Sequence, residues 1–412
     1  MYEVVIVGGG ISGLYLHSKL IKRTKNILLL EQNDYFGGRI LQHTEKVNGV
    51  NVSIPAGAAR FNKNHTEVIK LLKEYHLLDF RKDKGIDSSI DFIDTTNEFS
   101  NAINKKNGFH YINKILNLAK KEKEEVLKKH SFSSYAAKYL SQDELDYMLI
   151  ASGYSGQLKY MNAFDACNLF ANGIRTDITY YGGYYHLLIE KIVKELKKQD
   201  AHMKLKCVVK DFKYDHVKSL YTVFYNNQKI YTKHLLLCIP KPALLQFEAL
   251  HPIHSILKQS VQCKKLCRVY ALFNKEDIWF QNLKKTVVNN PLRYIIPFDA
   301  KKGIIMISYT DDEYTNFWMK IKNDQTKLKK QIVKYIEQSF QIKVNAPEKV
   351  WVFDWNCGVA YWKPNKDSLT LSNYIINPLP NLYICGENYS MNQSWVEGAL
   401  ETSNKCLEKI NI

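Results

Sequence analysis

The sequence predicts an α/β fold in which a discontinuous nucleotide-binding domain is interleaved with a second domain of mixed sheet and helices. Three observations predict it. The apolar strand Glu3 to Val7 runs straight into Gly8, Gly10 and Gly13, and a second apolar run, Asn26 to Leu30, is closed by an acid, Glu31. Near the other end of the chain, the strand-like NLYICGE ends in Gly386-Glu387 just ahead of a helix beginning near WVEGALETS. Strand, glycine turn, helix and acid in that order form the context that turns a GxGxxG string into a dinucleotide site.

Each element follows from its residues. Gly8 allows a tight turn, Gly10 lets the backbone approach a pyrophosphate, and Gly13 lets an amphipathic helix pack closely on the strand, so that phosphates meet free amides at the helix start. Glu31 is placed to accept both ribose hydroxyls of an adenosine. Gly37-Gly38-Arg39 follows, and Arg39 can clamp a pyrophosphate oxygen with two parallel bonds. From Thr66 to Ser152 the apolar spacing is helical, with few strand signals. Gly182-Gly183 precedes another helix, and KLKCVVKDFKY, LYTVFYN and HLLLCIP read as a meander returning to the nucleotide domain. LCRVYALFN, RYIIPF and GIIMISY are strands of a substrate domain, followed by the helix LKKQIVKYIEQSFQ. A Gly-Glu strand end beside the final helix start makes a second phosphate or ring-edge site.

At 412 residues the chain is long for one core, and two intimately packed domains are expected. No apolar run approaches the ~20 residues that span a bilayer, and the apolar N-terminus lacks a basic leader and a cleavage site. The expectation is a soluble, cytoplasmic protein. The eight cysteines are scattered, several within apolar runs, and read as reduced and buried. Cys263 and Cys267 lie four apart without a second ligand pair, so no metal is assigned. The net charge of +17 draws most densely on Ile103 to Lys129, whose signs alternate as on a solvated helix face. Nucleic-acid binding is therefore not the favoured reading.

With GxGxxG, Glu31, GGR and the distal CGENYSMNQSWVEGAL in order, the chain resembles the flavin-containing amine oxidases, a family that includes monoamine, polyamine and L-amino acid oxidases. The likeness runs nearly end to end and is most specific at the two ends. It implies a Rossmann-like FAD-binding domain at 1–75, 180–248 and 370–412, and a substrate domain at 76–179 and 249–369. Gly8, Gly10, Gly13, Glu31, Gly38 and Arg39 would hold the ADP half of FAD, and the backbone of Val209 would meet the adenine. Gly57 and Ala58 would line the cofactor, Gly386 and Glu387 would bind its ribityl and pyrophosphate region, and the amides around Trp395 and Val396 would face the flavin pyrimidine. The implied reaction takes a hydride from the carbon bearing a neutral amine and leaves an imine, with O₂ returning the cofactor to its oxidised state as H₂O₂.

Trp395 matches one of the family's two orienting aromatic rings; Tyr361 is the counterpart of the other, with Trp362 the fallback and core packing the plain alternative. In GAARF, Arg60 matches the arginine that pairs with the substrate carboxylate of L-amino acid oxidases; the competing reading has it contact FAD or an internal acid. Arg268, in CRVYALF, stands where the family carries a lysine that holds a water at the flavin, and strand alternation puts Lys264 on the same face. An arginine there would lower oxygen reactivity. Ala360 replaces the cysteine that bonds flavin in monoamine oxidases, so the FAD is expected to be non-covalent. Two alternatives accompany the oxidase reading: a flavin desaturase acting on another substrate, and a catalytically weak FAD-binding structural protein.

Overall fold

The computed structural model describes residues 1–80, 86, 89–100, 103, 108–172 and 178–412. In chain order its strands are β1 (Tyr2–Val7), β2 (Ile27–Leu30), β3 (Gln42–Val47), β4 (Val50–Pro55), β5 (Arg60–Asn62), β6 (Ile90–Ile93), β7 (Tyr180–Gly182), β8 (His202–Lys204) and β9 (Val209–Asp215). There follow β10 (Leu220–Tyr225), β11 (Gln228–Leu237), β12 (Val261–Leu272), β13 (Lys285–Val288), β14 (Tyr294–Asp299), β15 (Ile304–Asp311), β16 (Lys349–Trp362) and β17 (Leu382–Ile384).

The first sheet runs β8-β2-β1-β11-β10-β9, with β17 also paired to β11. Strands β8, β2, β1, β11 and β17 are mutually parallel, and their apolar runs are nearly continuous because both faces are covered. The expected meander is present, since β9, β10 and β11 pair antiparallel. Strand β11 holds both ends of the chain: Leu235–Leu237 lie between β1 and β17. The helix Ile11–Leu20 is not amphipathic as its sequence suggested; eight of its ten residues are buried. It lies between this sheet and the helix Val396–Lys409, joined to the latter by Ser12 Oγ to Ala399 O and by Tyr15 Oη to Asn404 Oδ1. Close packing requires Gly13, because a Cβ there would fall 2.0 Å from the carbonyl oxygen of Gly8.

The second sheet, β16-β12-β15-β14-β13-β6, is antiparallel except for the β13–β6 pair. The helical stretch after Thr66 contains the unexpected strand β6, and β13 and the helix Glu313–Ile321 were also not anticipated. Within the basic segment Ile103–Lys129, positions 104–107 lie outside the described residues. Among the described residues no helix is long and apolar enough to cross a membrane.

Two expectations are corrected. Cys263 and Cys357 are bonded as a disulfide, with Cα atoms 4.9 Å apart, rather than reduced; the other six cysteines are free. They meet because β12 and β16 pair antiparallel, which brings together positions 94 residues apart in sequence. The register of that pair shifts between Lys264 and Leu266, which interrupts the simple alternation linking Lys264 to Arg268. Lys264 pairs instead with Asp312 at 2.9 Å and sits 3.3 Å from the Tyr160 ring.

Candidate functional site

The site is assembled where β1, β2 and β17 end. Gly8 holds φ +105°, and a Cβ there would meet the Cys238 carbonyl oxygen at 2.4 Å, so this turn is closed to other residues. Gly10 differs: a Cβ would meet nothing within 4 Å, and the same is true of Gly386 at the end of β17. Both glycines thus border open space at adjacent strand ends. Gly38 folds over Gly10, its Cβ position 3.3 Å from the Gly10 Cα.

Glu31 is buried at the end of β2. Its Oε2 accepts from Gly9 N at 2.6 Å, and its Oε1 accepts from Asn33 N and Nδ2, both at 2.8 Å. Its carbonyl accepts from Cys207 N, which brings the segment leading into Val209 beside it. Arg39 crosses to the other end of the chain. Its Nη1 donates to the carbonyls of Cys357 and Gly358 and lies 2.9 Å from Glu387 Oε2. Gly57 and Ala58 pack on its backbone: Ala58 N donates to Arg39 O, and a Cβ at Gly57 would lie 1.9 Å from that oxygen.

Glu387 is a hub. Besides Arg39, its carboxylate accepts from Asn388 Nδ2, Ala360 N and Ser394 N. All four acceptances are protein contacts, so the side chain organises the loop while the Gly386 backbone borders the open cradle. The following helix begins at Val396, 8% exposed, with Trp395 as its cap residue. Trp395 Nε1 is a buried donor without a protein partner, and the Ser394 hydroxyl lies within hydrogen-bonding reach of Tyr361. Glu397 ties this helix to the first segment by accepting from Glu67 N and Val68 N.

Trp395 stacks with Tyr180 at 6.3 Å and 12°, and its ring lies 4.6 Å from that of His65. Burial lowers the His65 pKa to about 4, so the imidazole is neutral near neutral pH. Tyr361, on β16, is buried in the same apolar cluster that Trp395 packs against. Its hydroxyl donates to Gln157 Oε1 at 3.4 Å, and burial raises its pKa well above the ordinary phenol value. Gly156, whose Cβ position is 3.0 Å from this ring, is held by Asp311 Oδ2.

Arg60 and Arg268 face a group of tyrosines. Arg60 pairs with Gly182 across β5 and β7, which sets its guanidinium 5.6 Å from the Tyr180 ring. Arg268 is 5% exposed, lies opposite Tyr309 in the β12–β15 pair, sits 4.7 Å from that ring and donates to Pro55 O. Tyr154 touches both Tyr294 and Tyr309, at 5.2 and 4.9 Å. Tyr154, Tyr294 and Tyr309 went unrecognised at the sequence level, because they come from a loop and two strands with no common spacing. Among the described residues neither arginine is within ion-pair distance of a carboxylate.

Most of the sequence-predicted residues thus fall into two adjoining groups. Gly8, Gly10, Gly13, Glu31, Gly38, Arg39, Gly57, Ala58, Gly386, Glu387 and Val396 gather at the strand ends, with Val209 at their margin. Trp395 joins them to Arg60 through Tyr180. The open cradle at Gly10 and Gly386, together with the unpartnered Trp395 Nε1 at the start of a helix, fits a dinucleotide whose ring edge takes negative charge.

The sequence model of flavin containing amine oxidoreductases matches residues 11–406. Among curated proteins, the chain is 38% identical over 78 residues to flavin-containing amine oxidase A of Equus caballus, covering 19% of this chain and 14% of that protein. It is 37% identical over 76 residues to (S)-6-hydroxynicotine oxidase of Paenarthrobacter nicotinovorans, covering 18% of each. The chain spans between 14% and 27% of the length of the curated relatives it matches. Among solved structures, wild-type putrescine oxidase bound to putrescine superimposes with a TM-score of 0.78 at 16% identity, over 99% of this chain and 98% of that one.

Proposed function

The chain belongs to the flavin-containing amine oxidoreductase family and takes FAD as its cofactor, and we propose that it oxidises the amine-bearing carbon of an amino acid, with Arg60 holding the carboxylate. The observation that carries this reading is the placement of Arg60. Its guanidinium lies over Tyr180, Tyr180 stacks on Trp395, and Trp395 caps the helix that starts beside the Gly386 cradle. A cation without a carboxylate partner, one ring away from the cofactor site, suits a substrate anion.

When bound, FAD supplies the acceptor for the hydride and passes the electrons to O₂, giving H₂O₂. The protein's residues supply alignment. Glu31 and the Gly8–Gly13 turn would hold the adenosine and pyrophosphate, and the amides at Val396 would meet the pyrimidine edge. Trp395 and Tyr361 would flank the amine, Tyr361 as a neutral phenol because its burial disfavours the anion. His65, uncharged beside Trp395, adds no positive charge that would oppose arrival of the amine in its cationic form. Ala360 offers no thiol and the sulfur of Cys357 is committed to Cys263, which supports a dissociable cofactor. We place the cofactor domain at 1–75, 180–248 and 370–412, because all seven strands of the first sheet fall within these segments.

The test is anaerobic mixing of the yellow protein with amino acids and with simple amines, followed by air. Bleaching by amino acids, with peroxide formed on reoxidation, is the expected result. Bleaching by simple amines alone would remove the role given to Arg60, and no bleaching by either would remove the oxidase reading.

A further inference from the structure

Two guanidinium groups lie among the same tyrosines, which is more positive charge than a single carboxylate balances. Arg268 is 5% exposed and its Nε has no hydrogen-bond partner. Its other contacts are neutral: the Pro55 carbonyl at 3.1 Å, the face and hydroxyl of Tyr309, and the Tyr270 hydroxyl. Arg60 lies within electrostatic reach of Arg268, and both act on Tyr309 and Tyr154. The Tyr154 hydroxyl, buried against Tyr294 and Tyr309, is a further polar group without a partner.

A buried charge costs several kcal/mol unless an opposite charge or a full set of hydrogen bonds compensates it. Here the carbonyl and the ring faces compensate only in part, and each unpartnered nitrogen or hydroxyl can donate. Donors on Arg268 and Tyr154, both within electrostatic reach of Arg60, suit acceptors that carry negative charge.

We propose that Arg268 binds a second carboxylate of the substrate, so that the preferred substrate is a dicarboxylic amino acid with its α-carboxylate on Arg60 and its side-chain carboxylate on Arg268. The assignment rests on the amino acid reading of the Arg60 site. It gives Arg268 a role in specificity and removes the need for it to replace the family lysine in the oxygen reaction. A neutral side chain of equal length leaves the guanidinium uncompensated, and rejection of analogues that strand a buried polar group is strong.

The experiment compares acidic amino acids with their neutral amides of equal length in anaerobic flavin reduction by the holoenzyme, and titrates glutarate and butyrate against the oxidised flavin spectrum. Acidic substrates are expected to lead their amides by at least 30-fold in kcat/KM, and glutarate to perturb the spectrum at concentrations where butyrate does not. Arg268→Gln should raise KM for the acidic substrate about 100-fold with little change in kcat, improve the amides relative to the acids and abolish the glutarate response; Arg268→Lys should recover part of the acid preference and of the glutarate response. Equal rates with acids and amides in the wild-type enzyme would overturn the proposal however the variant folds, and so would an equal loss for both in Arg268→Gln protein that retains its full flavin content. If no amino acid reduces the flavin yet glutarate binds in an Arg268-dependent way, the subsite stands and the oxidase reading falls. If glutarate also fails to bind, both fall.

Discussion

Replacing Glu387 by Gln tests whether one carboxylate holds the two ends of the chain around the cofactor. The carboxylate takes four donors: Ala360 N at 3.2 Å, Ser394 N at 2.8 Å, Arg39 Nη1 at 2.9 Å and Asn388 Nδ2 at 2.7 Å. A glutamine keeps one oxygen and turns an NH₂ towards two of these donors, whichever way it flips. If the amide nitrogen faces Ala360 and Ser394, two backbone N–H groups lose their acceptor, at about 1–3 kcal/mol each. If it faces Arg39 and Asn388, the guanidinium loses its anion, but Arg39 is 34% exposed and can turn to water, which discounts that cost. The second orientation wins, for a net loss of about 2–3 kcal/mol. At roughly 2 °C per kcal/mol for a chain of this size, the melting temperature should fall by about 4–6 °C. Thermal unfolding followed by circular dichroism and by flavin fluorescence reads both the fold and the cofactor, and flavin release should precede global melting in the variant. A fall below 1 °C with unchanged flavin retention would refute the hub assignment.

Three further outcomes are expected. Gly13→Ala places a Cβ 2.0 Å from the Gly8 oxygen, so the helix must leave the strand; a colourless preparation is expected, and a yellow one with normal flavin content would show that the approach is less tight. His17 is fully buried without a hydrogen-bond partner, and burial, aided by His202, lowers its pKa to about 4. The unfolded state therefore binds the extra proton between about pH 6.5 and 4: this contribution to stability is intact above pH 6.5 and is lost on acidification, by about 2 kcal/mol at pH 5. His17→Leu should flatten the slope of urea-derived stability between pH 7 and 5, and an unchanged slope would count against it. Denatured protein should show six reactive thiols before reduction and eight after it; Cys263→Ser with Cys357→Ser should cost about 2–4 kcal/mol, because the bridge closes a 94-residue separation. Eight thiols without reductant would show that the bridge does not form.

The strand-turn frame of the candidate cofactor end was legible in the sequence because its signals are local. Gly8, Gly10 and Gly13 directly follow a strand, Glu31 closes the next one, and Gly386-Glu387 repeats the pattern at β17. A local signal was also missed: Asn48-Gly49 between alternating residues marks the β3–β4 hairpin, and both turn residues have positive φ, 47° and 85°. Other features leave no local trace. The disulfide depends on β12 meeting β16, the tyrosine chamber on a loop and strands β7, β14 and β15 converging, and the register shift near Lys264 on how two strands negotiate their pairing. The apolar run that follows Gly10 looked like a one-sided helix, because its partners on the other faces, residues 185–198 and 396–409, lie far along the chain.

The position of β17 also sets an order of events during synthesis. One wall of the candidate cradle is made well after β1, β2 and β11, so a nascent chain carrying only those strands displays its glycine turn with nothing opposite it. Cofactor capture therefore waits for β17, and any product ending before residue 382 should be made and released without its prosthetic group.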